Sequence, residues 1–292
     1  VTRRPRASLA SRAAAPAVLV TLTAVLLLPG CTDPAEPRET PGAASSGNTT
    51  LLVGPTDPEG LRAAGTEVAV GGVTLSVWPP LGDASGAPDE DGAVALTAPL
   101  PAGDGTASTL PVLTIVAPAG MIIEELEDGS ALVRDADGLA TAAVTAPLLS
   151  GAAAGSGLRV QVDGDAGDET LAWSVVVPVR TDGGVDPLPG GTVGATVAAS
   201  ALRSATWSDS DDEGGRSLAV VPATWARTGG RAAEEAVWSQ VVAQVPEAGT
   251  QAMHDQLTCH TIGAPDKASW NLEPWRPDVG LLQTLAALCN PE

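Results

Sequence analysis

The chain contains no phenylalanine and no tyrosine, and its only aromatic rings besides two histidines are seven tryptophans. Its cores must therefore be built from Val, Leu, Ala and Trp, a bias from which no mechanism follows. Bases are scarce: Lys267 is the one lysine, and 15 Lys and Arg face 35 Asp and Glu, a formal charge of −20. Residues 1–30 hold four of the arginines and no acid, so the remainder carries 11 bases against 35 acids, a formal charge of −24. A surface that negative repels phosphate backbones, which excludes nucleic acid as a partner. A long apolar run is missing as well. Residues 13–28 are 16 in number and broken by Pro16, short of the roughly 20 that a spanning helix needs. No Gly-x-Ser-x-Gly elbow, His-Glu-x-x-His, Ser-x-x-Lys or phosphate-cradling glycine loop occurs, so nothing in the motif grammar nominates a catalytic residue or a cofactor.

What stands at the N-terminus is an export pattern. Arg3, Arg4, Arg6 and Arg12 precede the apolar run, which ends in Leu28-Pro29-Gly30-Cys31. A basic segment, a short apolar segment and a small residue before the scissile bond describe a signal peptide. A cysteine immediately after the bond describes a lipoprotein. We expect a signal peptide over 1–30, palmitate-type acylation of Cys31 and a membrane-anchored protein on the extracytoplasmic face of a bacterial cell. More than one acyl chain is needed for stable anchoring, at about 0.8 kcal/mol per buried methylene. Residues 31–50 are rich in Pro, Ser, Thr and Gly with little apolar content, which predicts a disordered tether.

Cys31 being assigned to lipid, Cys259 and Cys289 remain as a pair in an exported chain, where disulfides persist. A bridge between them is expected.

Residues 51–181 show short alternating or β-branched runs separated by Pro, Gly and Asp: 67–70, 73–78, 94–97, 110–116, 131–133, 158–162 and 172–179, with a short helical turn near 59–64. This predicts an antiparallel sandwich-like all-β domain. Residues 182–200 are rich in Gly and Pro and read as a linker. Beyond it, 201–292 predicts a small α+β domain. Residues 202–207 and 217–221 form a hairpin. Helices follow over 231–245, over 250–262 and from Asp278 to Leu288, each with an apolar stripe and a stop signal. The expected bridge staples the last two.

Several constellations could carry chemistry. Asp209, Asp211 and Glu213 alternate before Gly214 like the first half of a calcium loop, but Val220 stands where the bidentate Glu belongs; Asp163–Asp168 fails similarly. Both read as exposed turns, and no metal is assigned. His254 and His260 lie six residues apart on one predicted helix, about 120° around it, so they do not share a face. His260 reads as a core histidine. His254 beside Asp255 has the composition of an oriented general base, although neighbouring helical residues point about 100° apart. The most unusual stretch is Lys267–Pro277, where Trp270, Asn271, Glu273, Trp275 and Arg276 fall in a proline-locked loop. It reads either as a rigid loop whose rings plug the core or as an exposed patch for a ligand or partner.

At these residues the sequence resembles DUF2599, a bacterial family of unknown function. The resemblance rests on Met253-His-Asp-Gln256, Cys259-His260, Lys267, Trp270-Asn-Leu-Glu-Pro274, Arg276-Pro277 and Cys289-Asn-Pro291. Upstream, Trp207, Ser217-Leu-x-Val220, Pro222 and Arg227 are also similar. It covers about residues 200–292 and marks them as one domain; Asp128–Gly138 is loosely similar to the β-rich region that precedes that domain in such proteins. The resemblance implies no activity and no catalytic residue. The leading expectation is a surface-tethered, non-catalytic binding or envelope-structural lipoprotein with an envelope or extracellular partner. The alternatives are an envelope hydrolase using His254 with Asp255 or Glu273 on a glycan or peptide, and a cation- or small-ligand-binding protein using the acidic turns.

Overall fold

The structure, a computed structural model, describes residues 54–81, 86–164, 167–210 and 215–292. The expected signal peptide, Cys31 and the tether 31–50 lie outside the described residues, as do 211–214 of one acidic turn and 165–166 of the other.

The N-terminal part is a sandwich of two antiparallel sheets. Helix α1 (Pro58–Ala64) starts where Asp57 Oδ1 accepts from Gly60 N at 2.8 Å. Strands β1 (Thr66–Val70) and β2 (Val73–Trp78) follow, joined by a two-residue turn with Gly71 at φ +57°. Next come β3 (Val94–Gly103), β4 (Thr109–Val116), β5 (Ile122–Glu125), β6 (Ala131–Arg134), β7 (Ala140–Val144), β8 (Leu148–Ser150), β9 (Arg159–Asp163), β10 (Thr170–Val176) and β11 (Leu188–Ala198). One sheet runs β1-β2-β4-β10-β9; the other runs β3-β11-β7-β6-β5, with β8 also on β11. Alternation sets the core: β10 buries Leu171, Trp173 and Val175 and turns the intervening residues outward. Leu75, Val77 and Ile115 from the first sheet meet Leu96, Ile123, Val133, Val193 and Val197 from the second. Burying one such side chain contributes about 1.5–3 kcal/mol.

The expected linker 182–200 is different in the structure. Residues 188–198 form β11, which pairs with β3 from Leu188↔Gly103 to Val197↔Val94 and also meets β7 and β8. Its glycines mark close packing. A Cβ on Gly191 would lie 2.3 Å from the Ser150 carbonyl oxygen, and one on Gly194 would lie 3.0 Å from that of Leu96. Glycine in a strand signals such an approach, and in sequence it is indistinguishable from a flexible connection.

The C-terminal part is α+β. Strands β12 (Leu202–Ser210), β13 (Gly215–Pro222) and β14 (Trp270–Leu272) make an antiparallel sheet in the order β12-β13-β14. Helices α2 (Gly230–Gln244), α3 (Gln251–Gly263) and α4 (Leu281–Ala286) complete it. Thr250 caps α3 by accepting from Met253 N at 3.3 Å. The third helix starts later than expected, with Gly280 as its cap at φ +78°. Asp278 holds the preceding turn, accepting from Gly280 N at 3.3 Å. Cys259 on α3 and Cys289 after α4 form a disulfide with Cα atoms 5.5 Å apart.

Both parts lie in one compact unit. A second core crosses between them: Ala93, Leu132, Ala143 and Ala198 of the sandwich pack with Ala232, Ala233, Ala236, Val237, Met253, Leu257 and Trp270. Alanines on both sides let α2 approach the outer face of β6 and β7. The N-terminus of α2 has no side-chain cap of its own and no acid in its first turn. Asp128, in the turn between β5 and β6, accepts from Arg231 N at 2.7 Å, and Ser130 Oγ accepts from Ala232 N at 3.0 Å. Burial raises the Asp128 carboxyl, but its hydrogen bonds from Arg231 and Ser130 outweigh this and hold it below the usual carboxylate range. The charge sits at the positive end of the helix dipole. At the far end of the junction, Gln240 accepts from Ala201 N and Leu202 N at 3.0 and 3.1 Å and donates to Ala199 O at 2.8 Å.

Candidate functional site

The loop that follows α3 is brought into the fold by β14. Three residues pair with β13, Leu272 to Leu218, Asn271 to Ala219 and Trp270 to Val220. Alternation across this short strand divides the aromatic-and-polar set. Trp270 and Leu272 point into the second core and are fully buried, whereas Asn271 is exposed. The indole N–H of Trp270 donates to Ala264 O at 3.0 Å, so its polar atom is satisfied inside.

Glu273 is also buried, which a carboxylate tolerates only when paired. It forms an ion pair with Arg276, whose Nη1 donates to Pro291 O at 3.1 Å. The backbone of Glu273 is clamped by one side chain of α3: Gln256 Nε2 donates to Glu273 O at 3.0 Å, and Gln256 Oε1 accepts from Glu273 N at 2.8 Å. Trp275 is 38% exposed and lies under the Arg276 guanidinium, 4.4 Å from ring centre to cation. Its pyrrole edge also fills the space that a Cβ on Gly215 would occupy, with Cδ1 2.9 Å away.

The histidines lie elsewhere. His260 is buried, and its Nε2 is 3.1 Å from Asn271 O, so Nε2 carries the hydrogen, and Nδ1 has no partner among the described residues. Burial pushes its pKa below the ordinary histidine value, against the opposing bond to Asn271. His254 stacks on Trp238 at 4.6 Å, and its buried Nε2 has no partner among the described residues. The carboxylates weighed beside it are engaged with other groups: Asp255 accepts from Gln251 Nε2 at 2.8 Å, and Glu273 holds Arg276. The structure therefore does not draw His254, Asp255 and Glu273 into an acid–base pair. Among the described residues no group of acids, histidines and cysteines is arranged to hold a metal. Shallow clefts at the junction are lined by Gly71, Asp91, Ser200 and Gln240 and by Glu90 and Arg203, none of them from this loop.

Of the loop residues singled out in sequence, Trp270, Glu273 and Arg276 hold the domain together, and Asn271 and Trp275 remain open to solvent. Gln256 was not singled out for a role, although it organises the turn. Its only signal was its place in the Met253–Gln256 run that carries the family resemblance.

Residues 202–292 match the DUF2599 model, described as a protein of unknown function. Uncharacterized protein Rv0477 of Mycobacterium tuberculosis (strain H37Rv) is 47% identical over 83 residues, covering 26% of this chain and 56% of its own length. Uncharacterized protein Mb0487 of Mycobacterium bovis gives the same figures, 47% over 83 residues. Uncharacterized protein ML2452 of Mycobacterium leprae is 42% identical over 64 residues, 20% of this chain and 52% of its own. The chain thus spans about half the length of the curated relatives it matches. No solved structure matches it.

Proposed function

We propose that the protein is a non-catalytic binding or envelope-structural lipoprotein, acylated at Cys31 and held at the extracytoplasmic face of the membrane. The observation that supports a non-catalytic role is how the C-terminal domain uses its polar residues. Glu273 is bound to Arg276, Asp255 to Gln251, Glu234 to Thr258 and His260 to the Asn271 carbonyl. Groups that a hydrolase keeps free for substrate are tied to neighbours and mostly buried. The Leu28–Cys31 pattern supports export and anchoring.

Metabolic labelling with an alkyne palmitate analogue tests the anchor. The full chain is expected to label and to pellet with membranes, and Cys31→Ser is expected to lose both properties. A chain that never labels, or a Cys31→Ser variant that still labels, removes the lipoprotein reading. For the non-catalytic role, His254→Ala is expected to bind its partner as the parent does; release of cleaved glycan or peptide from isolated envelopes by the parent, abolished in the variant, overturns it.

A further inference from the structure

Helix α4 ends in a turn that glycine ordinarily makes. Cys289 N donates to Thr284 O at 2.9 Å and Leu288 N to Leu285 O at 3.0 Å, the paired bonds of a helix stop whose outer residue is left-handed. That residue is Leu288, at φ +52°, and Cys289 follows at φ +68°. A left-handed leucine brings its Cβ against a carbonyl oxygen, a cost that glycine escapes. Cys289 is held in place by its bridge to Cys259. Leu288 has no such bond, and it is 81% exposed, so no burial within the domain offsets the strain. Glycine would serve this turn better both in conformation and in solvation.

The surroundings repeat the pattern. Leu282 is 82% exposed and points away from Thr284, the buried residue of α4, since residues two apart on a helix lie about 200° apart. Ile262, one turn beyond Cys259 on α3, is 63% exposed. Ile262 and Leu288 thus flank one covalent staple. From Val279 to Pro291 no residue carries a charge, in a chain of formal charge −20. Exposed apolar side chains gathered in this way mark a contact with something outside the chain.

Area, charge and chain length choose the partner. Three aliphatic side chains offer far less than the roughly 800 Å² per partner of a stable protein interface, and a second copy would bring an equal negative charge. A bilayer requires no complementary pocket and takes apolar side chains into its headgroup boundary. Gly54, the first described residue, lies 23 residues from Cys31, and 23 residues span at most about 80 Å. With Cys31 acylated, the folded unit cannot leave the bilayer by more than that span, and a contact too weak to bind alone becomes intramolecular.

We propose that Ile262, Leu282 and Leu288 form a lipid-contact edge that rests the folded unit against the bilayer in which Cys31 is anchored. This deepens the anchored reading above and rests on it. The strained leucine turn is then explained: it aims an aliphatic side chain outward from a stapled helix end, where lipid buries it.

The test is photo-crosslinking of the full chain in phosphatidylcholine vesicles that carry a diazirine on the acyl chain close to the headgroup. Adducts are expected on residues 279–291. Ile262→Gln, Leu282→Gln and Leu288→Gly together are expected to cut them at least tenfold. Leu288→Gly alone is expected to leave the melting temperature at or above the parent's, because it relieves the turn; a lowered one would mean that Leu288 serves the fold, and overturns the proposal. So does a vesicle-bound parent without adducts on 279–291, or a triple variant that keeps them. An acyl label on Cys31 without these adducts sinks this inference alone, adducts without the acyl label sink the lipoprotein reading alone, and a parent that does not associate with vesicles sinks both.

Discussion

The sandwich and the C-terminal domain are stabilised in different ways. The sandwich relies on repetition: among the described residues, strands β1 to β11 surround one core of buried aliphatics, with Trp173 as its only fully buried tryptophan. Among the described residues its buried polar side chains are Ser76 and Ser130. The C-terminal domain relies on individual contacts. It holds both histidines, five of the seven tryptophans and the disulfide. Glu234, Asp255, Gln256, Thr258, His260, Glu273 and Thr284 are buried there, most of them hydrogen-bonded. A repetitive core spreads its stability over many exchangeable residues, whereas a small domain concentrates it in a few that cannot be exchanged. Substitutions should therefore cost most where the contacts are most particular.

Trp270→Ala should expose this contrast most strongly. It empties the centre of the second core and orphans the Ala264 carbonyl, costing about 3–5 kcal/mol. Urea unfolding followed by tryptophan fluorescence should show the C-terminal domain melting first while the sandwich retains its strand signal. Next, Cys259→Ser with Cys289→Ser opens a loop of 30 residues and should cost about 3–4 kcal/mol on the chain-entropy model. Reductant should lower the parent's melting temperature and leave the double variant unmoved.

Asp128→Ala should come third, at about 1–2 kcal/mol, the cost of losing a cap together with a charge at a helix N-terminus. The residue lies in the sandwich, yet hydrogen exchange should speed up in α2, about 100 residues away in sequence. Unaltered α2 protection would mean that the two regions are less coupled than their shared core indicates.

Acid should separate the regions more gently. The folded pKa of His260 is lowered, so the unfolded chain takes up a proton first. Stability of the C-terminal domain is then full above about pH 6.5 and falls as pH drops below it, until the folded pKa is reached. The sandwich has no histidine. Its Asp91, held low by the Arg203 bond, and Glu169, held low by Arg62, lose their contribution only as pH falls below the ordinary carboxylate range near 4. Melting at pH 7 and pH 5.5 should shift the C-terminal domain alone, and His260→Gln should remove the shift. Trp275→Ala should be the mildest change, within about 1 kcal/mol, because the ring is partly in solvent.

Much of this fold was readable in the residues. Alternation located β1, β2, β4 and β10, the aliphatic stripe located α2, and cysteine arithmetic anticipated the bridge. Five strands escaped, β5, β7, β8, β11 and β14, and the last two show why. β11 was hidden because the glycines that let β3 and β8 pack closely look like those of a linker. β14 was hidden because three residues between prolines are too few to show a period, and on those three depends which loop side chains turn inward. Contacts such as Asp128 to Arg231 or Gln240 to Ala201 join residues too distant in sequence for any local pattern to reveal. The Lys267–Pro277 loop was recognisably unusual, but its division into Trp270 within and Asn271 without needed the register with β13.

The cap on α2 has a consequence for the order of events. A chain emerges N-terminus first, and its domains form largely in that order. On that order the Asp128 turn would be in place before α2 forms, and the helix would grow onto an anchor already present. The cap that starts the longest helix of the C-terminal domain is thus supplied by the sandwich and not by that domain itself.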